Sequence, residues 1–454
     1  MKFHITTWGC QMNDHDSEKM SGLLVKNGYL PAKSIDDADI VLLNTCSVRE
    51  KAAHKVFSEL GRLKDAKANR ANNPDSPYNP MLIGVAGCLA QQEKEKIFRR
   101  APYVDLVLGT MAIKQLPKLV ADALSGAGRV IDTNFYPDNH LFPLDSIQRG
   151  ATAKALVTII EGCNHACAYC VVPTTRGKER HRPAADILAE VRGLAESGFR
   201  EVELLGQNVN SYRGGCTFAE LLYQVAGIDG LEWIRFTTSH PMNFTRDLAQ
   251  AMITIPKVAP FLHLPIQSGS DKILRRMRRG YTSLDYTERI GYLGEWRNDI
   301  CLSTDFIIGF PGETDEDFED TMAILEKIKF DASFSFIYSP RPDTPALRLA
   351  DDVPDSVKRE RLTRLQARQT ELTLMSHRRE VGKIIPVRIE NQCPTEDKTE
   401  DKEGADGGRY WLARTAHWRN VHLENPNNRP MPFGRLVKAK VTDASPHWLR
   451  GEVV

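Results

Sequence analysis

The sequence predicts an α/β protein in three parts. These are an N-terminal layered α/β domain over residues 1–125, a partial (βα)6 barrel with its following helix over 149–380, and a small β-barrel over 381–449. A linker fills 126–148. Three observations predict this. Short apolar runs alternate strictly with helical patterns in the first part, as in a parallel sheet covered by helices. At least six further strand–helix units follow without a break, which suits a barrel or an open barrel. After a charged helical stretch the pattern turns to period-two strands alone.

The first part is Rossmann-like. FHITTWG, ADIVLLNTC, MLIGVAGC and VDLVLGT read as strands, with helices at DHDSEKMSGLLVKNG, REKAAHKVFSELGRLK and QQEKEKIFRRA. The Asn/Pro-rich stretch at 69–80 reads as a surface loop. The barrel strands fall at ALVTII, EVELLG, WIRFTTS, FLHLPI, STDFIIGF and FSFIYS. The residues after them (EGCNH, GQNVN, SHP, QSGS, PGET, SPRPDT) are polar and glycine-rich, as expected where a parallel barrel gathers its binding groups. SVKRERLTRLQARQTELTLMSHRREV is the charged helix, and IIPVRIEN, YWLARTA, NVHLEN and RLVKAKVTDA read as strands of the last part. The acidic stretch 394–408 between them reads as a solvated loop.

The chain has 454 residues and buries ample core without covalent staples, so its nine cysteines are free for chemistry. Their odd number, and a start (MKFHITTWGC) without the pattern of a secretory signal, point to a reducing compartment, most simply the cytoplasm. No apolar stretch approaches a membrane-spanning length. With 60 Lys+Arg against 59 Asp+Glu the net charge is +1, so a nucleic-acid partner must be held by local patches. From Arg409 to the end there are eight Lys/Arg against three acids, a mildly basic tail. RRMRRG offers Arg275, Arg276, Arg278 and Arg279 as phosphate contacts or as an exposed helix face.

GCNHACAYC carries Cys163, Cys167 and Cys170 within nine residues. Such a group reads as zinc, iron–sulfur or a redox pair. Structural zinc closes its tetrahedron with four protein ligands, and a redox pair leaves Cys163 unexplained. A 4Fe-4S cubane held by three thiolates keeps one iron without a protein ligand. The motif, with Tyr169 before its last cysteine, resembles that of the radical S-adenosylmethionine superfamily. The resemblance implies that the open iron chelates S-adenosylmethionine, and that reduction splits it to a 5′-deoxyadenosyl radical. By the same analogy Tyr169, Gln207, Gln267 and Asp305 are cofactor-binding candidates. GFPGET (309–314), which no Lys follows, reads as a backbone-shaped loop beside the cofactor rather than as a phosphate cradle.

A second trio, Cys10, Cys46 and Cys88, follows three apolar strands: TTWGC, VLLNTC and GVAGC. In a parallel sheet these strands end on one edge, where such folds bind ligands, so three dispersed thiols can converge. Cys216, Cys301 and Cys393 lack such a setting. WGCQMNDHDS, LLNTCSVREKA, GVAGCLAQ, EGCNHACAYCVVPTTRG, LLGQNVN, RFTTSHP, LHLPIQSGS, DFIIGFPGET and SPRPDTPA, in order, resemble the methylthiotransferase family across the whole chain. His165 and Ala166, the 69–80 loop and the acidic insertion depart from its pattern.

The resemblance implies two 4Fe-4S clusters on the six cysteines as metal ligands. One S-adenosylmethionine methylates sulfur at the Cys10 cluster, and a second supplies the radical that takes hydrogen from carbon 2 of an adenine, which then gains the methylthio group. The opening WGCQMN resembles the branch acting on N6-isopentenyladenosine beside the tRNA anticodon; other branches act on threonylcarbamoyl-adenosine or a ribosomal-protein aspartate. The last region resembles a TRAM domain, which binds RNA. Expected partners are a tRNA anticodon stem-loop and an electron donor such as flavodoxin or ferredoxin, with the chain a monomer and no membrane involved.

Overall fold

A computed structural model describes residues 1–47, 50–71, 81–126, 128–136, 146–150, 153–392, 410–424 and 433–454. Most of the 69–80 loop, the 394–408 insertion and Cys393 lie outside the described residues.

The first part is built of β1 (Lys2–Trp8), α1 (Gln11–Lys26), β2 (Leu30–Pro31), β3 (Ile40–Thr45), α2 (Glu50–Ala71), β4 (Leu82–Gly87), α3 (Cys88–Glu93), α4 (Lys96–Arg100), β5 (Leu106–Leu108), α5 (Leu116–Leu124) and β6 (Val130–Asp132). The strands form one parallel sheet in the order β2-β1-β3-β4-β5-β6. β3 and β4 are buried on both faces, which is why they read as continuous apolar runs. Val56, Leu60, Leu89 and Phe98 cover one side, and Met20, Leu24, Leu116 and Val120 the other. β6 lies inside the stretch expected as linker. It adds a sixth strand through Leu106↔Val130, Val107↔Ile131 and Leu108↔Asp132. At three residues it is too short to show a period in sequence.

The second part runs through β7 (Lys154–Thr158), β8 (Ile160–Glu161), α6 (Val172–Arg176), β9 (Arg180–His181), α7 (Ala184–Glu196), β10 (Glu201–Leu205), α8 (Phe218–Ala226), β11 (Trp233–Phe236), α9 (Arg246–Thr254), β12 (Phe261–His263), α10 (Asp271–Arg276), α11 (Ser283–Ile290), β13 (Cys301–Ile308), α12 (Asp315–Ile328), β14 (Ala332–Ile337) and α13 (Asp355–Arg378). Two parallel halves, β7-β10-β11 and β12-β13-β14, are joined by the bridge Ile234↔Val258, giving the six-strand partial barrel the sequence predicts. The antiparallel pair β8–β9 is an addition to the barrel strands, and it closes the loop that carries GCNHACAYC.

The last part is a closed barrel of mixed antiparallel and parallel pairs, as expected of a TRAM domain: β15 (Ile384–Gln392), β16 (Tyr410–Thr415), β17 (Asn420–Glu424), β18 (Leu436–Ala444) and β19 (Leu449–Val453), in the order β15-β16-β17-β19-β18. β19, which closes it through Val421↔Leu449 and Ala444↔Leu449, runs past the expected end at 449.

This barrel docks on the bottom of the βα barrel through buried charge pairs. Arg388 reaches Glu201 at 3.0 Å, and Arg235 reaches Glu201 at 2.7 Å and the Thr415 and Ala416 carbonyls. Arg419, counted in the basic tail, is buried and paired with Glu380 at 2.7 Å, so it holds the two parts together. Arg435, Lys438 and Lys440 are exposed. Among the described residues no helix is long and apolar enough to cross a membrane.

Candidate functional site

The scattered trio converges. Cys10 is the N-cap of α1, Cys46 follows β3 and Cys88 opens α3, so the thiols leave three adjacent strands at one sheet edge. The register sets this: Trp8 pairs with Thr45 and Thr45 with Gly87, and the Cys46 amide bonds the Trp8 carbonyl at 3.0 Å. The strand order changes direction between β1 and β3, the crevice where open α/β sheets hold ligands.

The glycines before two of the thiols are required by space. A Cβ on Gly9 would stand 2.9 Å from Cys46 Cβ, and one on Gly87, at φ 87°, would stand 2.3 Å from Asn44 Oδ1. Asn13 and Asn44, both buried, lock the floor: Asn44 Nδ2 donates to the Asn13 carbonyl at 2.8 Å, and the Cys10 thiol donates to Asn13 Oδ1 at 3.3 Å. The Cys46 side chain, ahead of the Arg176 guanidinium, holds the Cys10 thiol down at about 6, whereas burial raises Cys88.

The compact trio sits in the loop between β8 and β9, whose ends are pinned by Glu161–Arg180 at 3.1 Å. The Cys163 amide bonds the Gly177 carbonyl, and the Ala168 amide bonds the Met277 carbonyl at 2.9 Å. Burial pushes Cys163 up to about 11 and Cys170 to about 12.

A buried cation stands beside them. Arg279 Nη1 lies 3.4 Å from Cys167 Sγ and 3.3 Å from Tyr169 Oη, while Nη2 donates to the Pro265 carbonyl at 2.9 Å. Arg279 is 5% exposed, and none of these partners is a carboxylate. RRMRRG is therefore divided: Arg275, Arg276 and Arg278 are exposed, and Arg279 turns inward. Helix α10 stops at Arg276 and Arg278 adopts φ 57°, which swings the next side chain under the cysteine loop.

Of the cofactor-binding candidates, Gln207 spends its Oε1 on the Gly162 amide at 2.5 Å, propping the turn before Cys163. Gln267, at φ 79°, joins the segment after β12 to β13: its backbone amide donates to the Asp305 carbonyl, and its backbone carbonyl accepts from the Ile307 amide. Asp305 stands on the interior face with His263 Nε2 at 3.5 Å. Tyr169 packs beside Ala168, Ile273 and Phe310. In GFPGET the Glu313 carboxylate accepts from the Gly309 amide at 2.9 Å, a loop shaped from within.

Two groups lie inside quoted stretches, VVPTTRG and RFTTSHP, yet the sequence assigns them no role. Arg176, at the end of α6, crosses to the N-terminal part and pairs with Asp16 at 2.7 Å, and its charge offsets part of the rise that burial causes at Cys88. Cys170 lies just before the same helix, with Val172 N 3.5 Å from its sulfur, so α6 spans from one trio to the other. His240, in SHP, stacks on His165 at 3.8 Å, accepts from the Met242 amide at Nδ1, and keeps a buried Nε2 without a partner among the described residues. His165, a departure from the family pattern, thus ties the cysteine loop to the loop after β11.

Among the described residues no three His, Cys, Asp or Glu side chains are gathered as a single metal ion requires. In a cubane each thiolate binds a different iron, so sulfurs need not converge on one point. Thiols without a fourth ligand, set against a buried guanidinium, fit an anionic thiolate-held cluster and not structural zinc.

The fold and the placement of these thiols define a radical S-adenosylmethionine enzyme with a thiol-bearing α/β domain in front and a TRAM-like barrel behind. Residues 157–325 match the radical SAM superfamily, and residues 2–109 match the uncharacterized protein family UPF0004. The chain is 46% identical to the tRNA-2-methylthio-N(6)-dimethylallyladenosine synthase of Aeromonas hydrophila, covering 99% of this chain and 91% of that one. It is 45% identical to the enzyme so named from Haemophilus influenzae, over 100% and 92%. The chain belongs to this family of methylthiotransferases. In fold it is similar to the radical S-adenosylmethionine methyltransferase TsrM from Kitasatospora setae, with a TM-score of 0.54 and 13% identity over 76% of this chain and 74% of that one. Its superfamily brings an iron–sulfur cluster and S-adenosylmethionine as cofactors.

Proposed function

We propose that the chain methylthiolates carbon 2 of N6-dimethylallyladenosine beside the anticodon of tRNA, drawing the methyl from one S-adenosylmethionine and the radical from a second. The observation that carries this reading is the convergence of Cys10, Cys46 and Cys88 on the edge that α6 ties to the Cys163 loop. A radical enzyme that also transfers sulfur needs a second site to hold it, and that trio supplies one. Cys163, Cys167 and Cys170 would hold one 4Fe-4S cluster and Cys10, Cys46 and Cys88 the other. When bound, a cubane with one open iron supplies S-adenosylmethionine chelation and its reductive cleavage at the first site and sulfur at the second.

The protein's own groups bind and orient. Gln207 and Gly162 fix the turn of the first loop. Arg279 neutralises anionic charge in a site from which water is largely excluded. Asp305 faces the interior, where a ribose or an amino group can be held. Asn13, Asn44 and Arg176 fix the second trio. Arg435, Lys438 and Lys440 offer phosphate contacts that position RNA without reading its sequence, and the target base leaves its stack to reach the barrel, as loop bases readily do. The enzyme acts as a monomer in the cytoplasm and takes electrons from a flavodoxin- or ferredoxin-type donor.

Nucleoside analysis by mass spectrometry of tRNA from a deletion strain tests the reading. The methylthio-dimethylallyl nucleoside should vanish and its unthiolated precursor accumulate. Persistence of the methylthio nucleoside while a ribosomal-protein aspartate lost its mark would transfer the activity to the protein substrate.

A further inference from the structure

The interior face of the second half of the barrel carries two phenyl rings that stand open to solvent. Partners in a parallel register share a face. The pairs His263↔Ser303, Ser303↔Ala332, Asp305↔Phe334 and Ile307↔Phe336 therefore align these residues. The alternate residues Leu302, Phe306 and Ile308 are fully buried with Phe318 and Leu325 of α12 and Leu365 of α13, so that face meets the helices. The other face looks into the barrel. Ile307 packs against the cluster that holds Ala168 and Tyr169 of the cysteine loop, and the Phe334 ring stands edge-on to His263 at 6.1 Å.

Phe334 is nevertheless 54% exposed and Phe336 46%. The first half of the barrel is not open in this way: Met12 of α1 covers Leu156 and Leu205, and the Thr415 and Ala416 carbonyls cap Arg235. Large apolar rings side by side and open to solvent are the informative kind of exposure, and in the mouth of an enzyme barrel they suit an apolar ligand group.

We propose that Phe334 and Phe336 form the subsite for the branched alkenyl N6 substituent of the target adenosine; this rests on the reaction proposed above and names what selects its substrate. The substituent has no hydrogen-bonding atom, so phenyl rings lose nothing polar by receiving it. A threonylcarbamoyl substituent would bring amide groups and a carboxylate against the same rings, beside the Asp305 carboxylate on the same face. Burying those groups unpaired next to a like charge is costly. The rings thus both attract the apolar substituent and reject the anionic one.

The test uses the reconstituted full chain and two synthetic anticodon stem-loops, one carrying N6-dimethylallyladenosine and one plain adenosine. The wild type should bind the first more tightly. In Phe334→Ala/Phe336→Ala that preference should fall about tenfold or more, the range for apolar groups in a pocket. Phe334→Leu/Phe336→Leu, which keeps apolar bulk, should retain much of it. An unchanged preference in the alanine variant at wild-type iron content would overturn the proposal. So would a variant that lost S-adenosylmethionine binding but kept its preference, since the rings would then serve the cofactor. A wild type that makes the methylthio product yet shows no preference would refute the subsite and leave the reaction standing; no product from either RNA would refute the reaction and the subsite with it.

Discussion

At the scale of single residues, the six cysteines were legible because each sits in a local pattern that chemistry requires: gaps of three and two in one trio, a strand end in the other. The groups that make those positions work were not. Arg279 reads as a phosphate contact or an exposed helix face and Arg176 as part of a longer motif with no role of its own, since a sequence shows neither the helix that stops at Arg276 nor the pairing that places Arg176 against Asp16 in a distant segment. Both are buried, and the cost of burial argues for their importance. Without Arg176 the buried Asp16 keeps only the more distant Lys19, at 4.0 Å, to offset its charge, so Arg176→Ala should cost about 3 kcal/mol of stability. Urea unfolding followed by circular dichroism measures this, with Arg176→Lys expected to recover part of the loss. A variant as stable as the wild type would show that Asp16 finds another partner.

At the scale of elements, strands marked by apolar runs were readable, including the three-residue β5 and β12, whereas a short strand without such a run was not. β3 and β4 are six residues each and fully buried, whereas β6 has three residues and gains its identity only from pairing with β5. β19 follows the same logic: Leu449–Val453 becomes the closing strand because Val421 and Ala444 both pair with Leu449. Caps can be tested directly. Thr217 accepts from the Glu220 amide at 3.2 Å while the Glu220 carboxylate accepts from the Thr217 amide at 2.7 Å, a reciprocal capping box at the start of α8. Thr217→Ala should lower stability by about 1 kcal/mol in denaturant titration. Methylthiolation should be unchanged, because α8 lies on the outside of the barrel.

At the scale of the whole molecule, the order of the three parts was legible from the change of periodicity, but the way they lock together was not. The N-terminal sheet edge faces the barrel mouth through Arg176–Asp16 and through Thr110, whose hydroxyl donates to the Thr175 carbonyl at 2.6 Å. The C-terminal barrel plugs the opposite end through Arg388, Arg235 and Arg419. Arg419, which the sequence offers to RNA, is thereby committed to docking, while Arg435, Lys438 and Lys440 of the same tail stay exposed. Stem-loop binding should weaken steeply with salt. Changing Lys438 and Lys440 to Ala should reduce the slope of log K against log[salt] by about 1 for each phosphate that a lysine no longer holds. A slope that did not change would place the RNA on another face.

Two separate clusters on two separate trios are the core of the proposed chemistry, and iron quantification after anaerobic reconstitution tests them most directly. Two cubanes predict about eight irons per wild-type chain and about four in each triple variant, Cys10/Cys46/Cys88→Ala and Cys163/Cys167/Cys170→Ala. Loss of all iron in one variant with full retention in the other would mean a single cluster, and would contradict the two-cluster reading.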